Sequence, residues 1–292
     1  MSSNSRANFW RLKSKTIEFG ACSKIMGIVN VTPDSFSDGG KFFDAQKAVE
    51  HALQLDAAGA DILDIGGEST RPYSEPVDLQ QELDRVIPVV ELLTEKTSTP
   101  ISIDTSKAAV AKAAIDAGAE IINDVTGLEG DPEMVSVAVQ SGAGICAMHM
   151  QGTPQTMQDN PSYENVTEEI FDYLKQRRES LIELGIQVER ICLDPGIGFG
   201  KSHDHNFELI NNSERFLKLQ CPILVGHSRK GFIGKALGDK SIDRDFGTLA
   251  ISLMLSQMGI QIVRVHNVAA TAQALQVLAA CAKGSRVKTE RF

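Results

Sequence analysis

The segments A-G-A-D-I-L-D-I (58–65) and A-G-A-E-I-I-N-D (117–124) indicate how this chain folds. In each of them a Gly follows a stretch with helical periodicity, and the chain then turns at once into a short apolar run. Glycine often ends a helix because it adopts the left-handed backbone conformation without strain. The pattern therefore predicts a helix, a tight turn and a strand, and it does so twice.

Further runs with strand character extend this pattern along the whole chain. Several are apolar at nearly every position, which is typical of a parallel strand buried on both faces. Helical stretches such as 45–58 and 79–93 separate them. Eight such alternations predict an α/β protein with a single-domain (β/α)8 TIM barrel. An open doubly wound sheet is the alternative, although eight evenly spaced units exceed its usual count. The eight runs are 25–31, 62–65, 101–104, 121–124, 143–148, 191–194, 223–225 and 262–265.

The barrel accounts for residues 25–283, and we interpret the two ends of the chain separately. Residues 1–24 are polar and mixed, and we expect an N-terminal extension or a short hairpin that plugs the barrel. Residues 284–292 form a basic C-terminal tail. Two connections, 149–163 and 226–246, are longer than the loops usual in such a barrel. Both follow strands, so they lie at the carboxyl end of the barrel, where barrel enzymes keep their chemistry.

Bulk properties exclude several classes of partner. The chain has 292 residues, 42% of them hydrophobic, and a net charge of −9. An acidic surface attracts neither nucleic acid nor an anionic membrane. The five cysteines show no CxxC spacing, which predicts reduced thiols without disulfides or zinc. No signal-peptide core and no run of roughly 20 apolar residues occurs. We therefore expect a soluble cytoplasmic protein.

Polar residues stand at the end of every predicted strand. In a barrel these ends converge on one mouth, so the pattern indicates a single site. One such residue alone has another interpretation, since Asp104 could cap the helix that follows it. The polar strand ends are Asn30, Glu68 to Arg71, Asp104, Asn123 and Asp124, Met148 and His149, Asp194, Ser228 to Lys230, Arg264 and His266.

The residue types at these ends suit a heterocycle that carries a phosphate. A carboxylate accepts two parallel N–H bonds, and an amide both donates and accepts, so Asp104, Asn123 and Asp194 match a flat ring with a donor-rich edge. Lys230 and Arg264 supply positive charge for a mono- or diphosphate. A solvated basic patch is the alternative, but Arg264 interrupts an apolar strand that should be buried.

Two loops add to this prediction. The loop N-V-T-P-D-S-F-S-D-G-G (30–40) carries hydroxyls and acids, and its Asn30 and Asp38 suit Mg²⁺ held jointly with substrate phosphates. An ordinary polar turn is the alternative for that segment. The loop L-D-P-G-I-G-F-G-K (193–201) lacks the P-loop spacing, so nucleotide binding is not indicated. Its Phe199 either clamps a ring or is an ordinary core aromatic.

The motifs taken together resemble the dihydropteroate synthase family. The similarity runs in order from Met26 to about Ala280. It implies a barrel, usually a homodimer, that joins 6-hydroxymethyl-7,8-dihydropterin diphosphate to 4-aminobenzoate in folate biosynthesis. The family is the target of sulfonamides. The motifs are the loop 30–40, which we call the first loop, D-I-G-G-E-S-T-R-P (64–72), S-I-D-T-S-K (102–107), I-I-N-D (121–124), M-H-M-Q-G-T-P-Q-T-M-Q (148–158), the loop 193–201, S-R-K-G-F-I-G (228–234) and R-V-H (264–266).

The resemblance also implies roles for individual residues. The pterin would contact Asp104, Asn123, Met148, Asp194, Lys230 and Arg264. The pyrophosphate would contact Asn30, Thr70, Arg71, Arg264 and His266. The aminobenzoate would lie among Phe36, Pro72, Phe199, Lys230 and Ser228. Mg²⁺ would bind Asn30 and Asp38, and the catalytic residues would be Asp104, Lys230, Arg264 and Asp38.

The reaction implied is a dissociative displacement, with the mobile loops 30–41 and 66–76 excluding water. Two residues depart from the family pattern: His227 stands where an apolar residue is more common, and Asn267 where Asp is common. A barrel of the methyltetrahydrofolate–corrinoid methyltransferase type is the main alternative, and a non-catalytic pterin-binding protein is another. The complete first loop and the S-R-K motif favour the synthase.

Overall fold

A computed structural model describes residues 6–31, 41–69, 74–239 and 241–287. The chain begins with a small antiparallel hairpin, and eight parallel strands follow. The hairpin consists of β1 (Phe9–Arg11) and β2 (Thr16–Glu18). The parallel strands are β3 (Lys24–Asn30), β4 (Ile62–Gly66), β5 (Ile101–Asp104), β6 (Ile121–Asp124), β7 (Gly144–Met148), β8 (Ile191–Asp194), β9 (Leu224–Val225) and β10 (Ile262–Val265).

The parallel strands close into a barrel. Their order is β8-β7-β6-β5-β4-β3-β10-β9, and a parallel bridge between Leu193 and Ile223 joins the two ends. This closure confirms the predicted (β/α)8 barrel and excludes the open sheet. The strand bounds differ from the predicted ones by at most one residue at either end. The agreement follows from burial on both faces, which selects nearly continuous apolar runs.

Helices alternate with the strands and cover the barrel. Helix α7 lies within 226–246, which we had predicted to be one long connection, and α9 continues to residue 287, into the predicted tail. Within the described residues no helix has the length and apolar character that crossing a membrane requires. The helices are α1 (Lys41–Ala57), α2 (Leu79–Lys96), α3 (Ala108–Asp116), α4 (Met134–Ser141), α5 (Val166–Glu183), α6 (His203–Asn211), α7 (Gly231–Ala236), α8 (Asp245–Gln257) and α9 (Val268–Val287).

The main core lies between the strands and the helices. Helix α2 shows how its sequence produces that layer: Asp78 caps it by accepting a hydrogen bond from the Gln81 amide at 2.8 Å. Its Val86, Val90 and Leu93 recur at helical spacing and are fully buried. The outward-facing residues of the strands pack against such stripes.

A second, smaller core fills the amino-terminal end of the barrel. Trp10 and Leu12 from the hairpin pack against the inward-facing residues near the beginnings of the strands, including Met26 and Cys146. The Trp10 indole donates a hydrogen bond to the Arg190 carbonyl at 2.8 Å, which satisfies its only polar atom. The hairpin thus closes this end, and the barrel is accessible from the carboxyl end of its strands.

Candidate active site at the carboxyl end of the barrel

The strand register places the predicted residues at one end of the barrel. Asn30, Gly66, Asp104 and Asn123 pair in sequence across four neighbouring strands and form one row. On the next two strands, β7 and β8, Met148 pairs with Asp194. The sequence prediction that these strand ends share one mouth therefore has a geometric basis.

Arg264 forms the centre of the site. Its Nε lies 2.6 Å from Asp64 Oδ2, and its Nη2 lies 2.6 Å from Asp104 Oδ2. Only 20% of its side chain is exposed, so the interpretation as a solvated patch is wrong for this residue. Although burial opposes the effect, the carboxylates of Asp64 and Asp104 raise the pKa of Arg264. The guanidinium is a fixed cation.

Asp104 belongs to this ion pair and does not cap a helix. The residue in the N-cap position of α3 is Lys107. Burial raises the pKa of Asp104 to about 7, Arg264 opposes this shift, and the negative charge of Asp64 adds to it. A carboxyl group poised near neutrality suits a role in a reaction that develops charge.

Asp194 and Arg264 face the same space. A Cβ atom added at Gly226 would lie 3.8 Å from Arg264 Cδ and 3.9 Å from Asp194 Oδ2, so this glycine separates them without filling the gap. Asp194 Oδ1 accepts a hydrogen bond from the Gly196 amide at 2.7 Å. Burial raises the pKa of Asp194, and the Gly196 amide opposes the shift. The row residue Asn123 donates from Nδ2 to the Asp64 carboxylate, at 3.2 and 3.4 Å from its two oxygens.

Lys230 and Phe199 form the adjoining wall. The ammonium group of Lys230 donates to the Ile197 carbonyl and lies 4.3 Å from the centre of the Phe199 ring. Phe199 is only partly buried, which is inconsistent with an ordinary core aromatic. Burial lowers the pKa of Lys230 to about 7, and the charge of Asp194 opposes the shift. Gly198 has φ +84°, and a Cβ there would lie 2.7 Å from Lys230 Cδ, so glycine is required.

Ser228 and His266 link two predicted subsites. The Ser228 hydroxyl lies 2.9 Å from His266 Nδ1 and accepts a hydrogen bond from the His266 amide at 3.2 Å. We had predicted contact with the aminobenzoate for Ser228 and with the pyrophosphate for His266. Because the two side chains touch, the subsites predicted for the two substrates are adjacent.

Several predicted residues lie outside the described part of the chain, and their roles stay predictions. These are Phe36, Asp38, Thr70, Arg71 and Pro72.

The possible cation site involves one described residue. Asn30 is half-buried, and its side chain makes no hydrogen bond to another described residue. Its amide oxygen is therefore available, and it has the hard-donor character that Mg²⁺ prefers. Among the described residues no group of three or more His, Cys, Asp or Glu side chains is arranged to hold a metal ion. A Mg²⁺ ion at Asn30 would need the Asp38 carboxylate and oxygens from the ligand.

Sequence reasoning missed two buried charges at the site. Asp64 is 0% exposed and lies in the middle of β4; we had placed it in a strand and in the motif 64–72 but had given it no role. Lys201 is 2% exposed, and its ammonium group lies 3.0 Å from His149 Nδ1 and 2.8 Å from the Phe199 carbonyl. Burial lowers the pKa of Lys201 well below its usual value. Arg264 was identified because its charge interrupts an apolar strand. Asp64 interrupts its strand in the same way, so the same signal could have identified it.

A third missed group anchors the base of the loop 66–76, which we call the second loop. The Lys107 ammonium lies 2.5 Å from Glu68 and 2.5 Å from Glu82, which is fully buried. The Thr105 hydroxyl donates to Glu82 Oε1 at 2.6 Å. The loop that begins at Glu68 is thereby attached to the end of β5, three residues beyond Asp104.

The two departures from the family pattern have structural roles. His227 is fully buried, with Nε2 lying 3.0 Å from the Thr248 carbonyl and 2.9 Å from the Ser252 hydroxyl. Burial lowers the pKa of His227 to about 4, so the ring is neutral near pH 7. Asn267 accepts a hydrogen bond from the Ala270 amide at the start of α9, and its Nδ2 donates to Asp245 at 3.0 Å. An Asp at position 267 could form only the first of these bonds.

Comparison with known proteins agrees with this geometry. The family described as pterin binding enzyme matches residues 26–266. A dihydropteroate synthase of Haemophilus influenzae is 45% identical over 260 residues, which are 89% of this chain and 94% of the relative. The Yersinia pestis dihydropteroate synthase solved in a sulfonamide drug complex has a TM-score of 0.88 at 39% identity, covering 94% of this chain and 99% of that chain. The Xanthomonas albilineans dihydropteroate synthase solved with 4-aminobenzoic acid has a TM-score of 0.87 at 41% identity, covering 94% and 98%. Since these matches span nearly the whole of both chains, the protein belongs to the dihydropteroate synthase family of pterin-binding enzymes.

Proposed function

We propose that this protein joins 6-hydroxymethyl-7,8-dihydropterin diphosphate to 4-aminobenzoate and releases 7,8-dihydropteroate and pyrophosphate. The observation that carries the proposal is the site around Arg264, where a fixed guanidinium, two buried carboxylates and Asp194 border one space at the open end of the barrel. Family membership supports it, because the relatives share this fold over almost their entire length.

The pterin ring lies among the most enclosed residues. Asp194 Oδ2 accepts no hydrogen bond from a described residue, and the carboxylate accepts the parallel N–H groups of the aminopyrimidinone edge. Asn123 meets the adjacent part of the ring, and the Lys230 ammonium donates to its carbonyl and ring nitrogen. Met148, which is 4% exposed, covers a ring face. Arg264 stacks on the pterin and faces the diphosphate.

The diphosphate is held by cations and by polar groups at the rim. Arg264 and His266 contact it from the barrel, Asn30 from the end of β3, and Thr70 and Arg71 from the second loop. Asn30 and Asp38 would hold Mg²⁺ together with the diphosphate oxygens. When bound, the ion supplies positive charge that stabilises the departing pyrophosphate.

The aminobenzoate occupies the outer part of the site. Phe199, the Lys230 stem and Ser228 form its wall, and Phe36 and Pro72 complete the pocket. The X. albilineans relative was solved with 4-aminobenzoic acid and the Y. pestis relative with a sulfonamide drug complex. We propose that sulfonamides bind this protein in the same place as the aminobenzoate.

The reaction is a displacement at the CH₂ group of the pterin. The C–O bond to the diphosphate breaks, its electron pair leaves with pyrophosphate, and the dihydropterin ring delocalises the developing cation. The Asp104 carboxylate favours that positive charge. The neutral aniline then forms the C–N bond and loses a proton, so no strong general base is required. The two loops exclude water, which would otherwise capture the cation.

A homodimer and a cytoplasmic location form part of the proposal. Support for a dimer is the exposure of large apolar side chains on the last helices, with Phe246 84% and Val277 63% exposed. Support for the cytoplasm is that Cys146, Cys192 and Cys221 are buried as free thiols, as is usual in a reducing compartment.

Pyrophosphate release by the purified protein tests the proposed function. We expect release to require both 4-aminobenzoate and Mg²⁺, with one 7,8-dihydropteroate formed for each pyrophosphate. A protein that binds the pterin diphosphate but releases no pyrophosphate when 4-aminobenzoate and Mg²⁺ are both present would contradict the proposal and favour a non-catalytic role.

A further inference from the structure

Asp64 has no part in the reaction described above, yet it lies at the centre of the site. It is fully buried and occupies the middle of β4, facing the barrel interior beside Ser102, its register partner on β5. Its Oδ2 atom lies 2.6 Å from Arg264 Nε and 3.2 Å from Asn123 Nδ2. A buried carboxylate is costly unless it is paired, and here it is paired with two groups that we assign to ligand binding.

The charge of Asp64 determines which way the Asn123 amide faces. Both carboxylate oxygens are within 3.4 Å of Asn123 Nδ2. If the amide were reversed, its oxygen would stand against the carboxylate, and two acceptors would repel each other. The Asn123 Oδ1 atom therefore turns away from Asp64. It accepts no hydrogen bond from a described residue, and it is not fully buried. The atom is therefore open to the cavity.

We propose that Asp64 is a positioning residue for the pterin, which fixes Asn123 so that the amide oxygen, not the nitrogen, meets the ligand. The site therefore selects a ring edge with an N–H donor at that point. This inference rests on the proposed function, because it assigns the specificity of the same site. Arg264 and Asn123 bind the same oxygen of Asp64. One carboxylate therefore holds both the side chain proposed to contact the ring and the side chain proposed to contact the diphosphate.

The exchange of the two side chains tests this inference. In Asp64→Asn, one of the two acceptors that face Asn123 becomes an amide nitrogen and the charge is lost, so the reversed Asn123 amide, with its nitrogen towards the ligand, competes with the original one. In Asn123→Asp, two carboxylates face each other. In the double variant D64N/N123D, the new amide at 64 donates to the new carboxylate at 123, whose second oxygen again faces the cavity as an acceptor.

The measurement is the affinity for 6-hydroxymethyl-7,8-dihydropterin, which lacks the diphosphate, determined by titration calorimetry. We expect each single variant to weaken binding by about tenfold or more, the effect of losing a hydrogen bond between buried charged and polar partners. We expect the double variant to regain most of the affinity. A purely structural role for Asp64 gives no such recovery.

Ser102→Ala is the matched control. Ser102 pairs with Asp64 in the register, and its buried hydroxyl has no hydrogen-bond partner among the described residues. We expect this variant to bind the pterin like the wild type, and thermal melts of all variants test whether each is folded.

The possible outcomes separate the inference from the proposed function. Unchanged affinity in Asp64→Asn, or a double variant that is as weak as the single ones, overturns the positioning role of Asp64 while leaving the proposed function intact. A wild-type protein that binds no pterin overturns the proposed function itself.

Discussion

At the scale of single residues, the site depends on charges held inside a barrel. The Arg264 guanidinium lies 2.6 Å from a carboxylate oxygen of Asp64 and of Asp104, and Lys230 Nζ lies 4.3 Å from the centre of the Phe199 ring. Burial raises the pKa of Asp104 and lowers that of Lys230, so that both are about 7. The net charge of Asp104 and Lys230 therefore changes near neutral pH.

These two values predict a bell-shaped dependence of kcat/KM on pH. Asp104 must be ionised to stabilise the cation, so activity rises as pH increases through about 7. Lys230 must be protonated to donate to the pterin, so activity falls as its proton is lost, also near 7. We expect Lys230→Met, which is less active throughout, to lose the alkaline limb and keep the acid limb. An alkaline limb that persists in this variant would exclude Lys230 as its source.

Asp194→Asn tests the grip on the pterin edge. An amide accepts with one oxygen only and presents a donor to the second N–H of the ligand, so we expect binding of the pterin diphosphate to weaken by about a hundredfold. Titration calorimetry measures this. Asp116→Asn is the control, since Asp116 is exposed on α3 and, among the described residues, forms an ion pair with Lys112 alone. Equal affinities for the two variants would refute the role of Asp194.

The location of the residues at strand ends could be predicted from the sequence, because the carboxyl ends of parallel strands meet at one end of a barrel. Asp64 could not be assigned in this way, since it lies two residues before the end of β4. Its partners Asn123 and Arg264 are 59 and 200 residues away in the sequence. Only the three-dimensional structure shows that one carboxylate serves both.

At the scale of elements, the base of the second loop is attached to α2 and β5 by a buried pair. Glu82 on α2 is fully buried and accepts hydrogen bonds from Lys107 and Thr105. Glu68 at the loop base shares the same ammonium group. The loop therefore starts from a fixed position beside Asp104.

Lys107→Met leaves the Glu82 carboxylate without its cation, and we expect the free energy of unfolding to fall by about 3 kcal/mol. Urea unfolding measures the change. Lys112→Met removes an exposed pair with Asp116 and should change stability by less than about 0.5 kcal/mol. If the two substitutions cost the same, the Lys107 pair does not anchor the loop.

Asp38→Ala tests the first loop, which we predict to complete the site for the second substrate and the metal ion. We expect turnover to fall much more than the affinity for the pterin diphosphate, because the proposed ring contacts come from the barrel. Parallel measurements of kcat and of pterin affinity distinguish the two. Losses of similar size in both would contradict this role of the loop.

The elements themselves were largely predictable. Strands such as Ile121–Asp124 and Ile191–Asp194 have the predicted bounds, because burial on both faces leaves a continuous apolar run. Helix α7 (Gly231–Ala236) was missed because it has only six residues, two of them glycines, and no side-chain cap. Such a helix is stabilised by its tertiary contacts, for example those of buried Phe232, and sequence periodicity does not reveal it.

At the scale of the whole molecule, the barrel is closed around its circumference and at its base. Successive side chains of each strand point to opposite faces. One set packs in an outer core beneath the helices, and the other in an inner core beneath the site. The hairpin contributes Trp10 to the inner core, at 0% exposure.

Trp10→Ala removes the largest side chain of the inner core, and we expect it to lower the free energy of unfolding by about 4 kcal/mol. We also expect Cys146 and Cys192 to become reactive towards alkylating reagents, since both pack in the same cluster. Phe9→Ala is the control, because Phe9 is 37% exposed on the same hairpin. Denaturant unfolding and mass spectrometry after alkylation report the two effects, and thiols that stay protected in Trp10→Ala would show that the indole does not shield them.

Because the hairpin closes the amino-terminal end of the barrel, ligands enter and leave through the carboxyl end alone. Asp104, Asn123 and Asp194 are nearly enclosed, whereas Phe199 stands closer to the entrance. In the proposed arrangement the pterin diphosphate therefore binds before the aminobenzoate, which would otherwise block its way. The joined product spans both depths, and it has to depart before the next cycle can start.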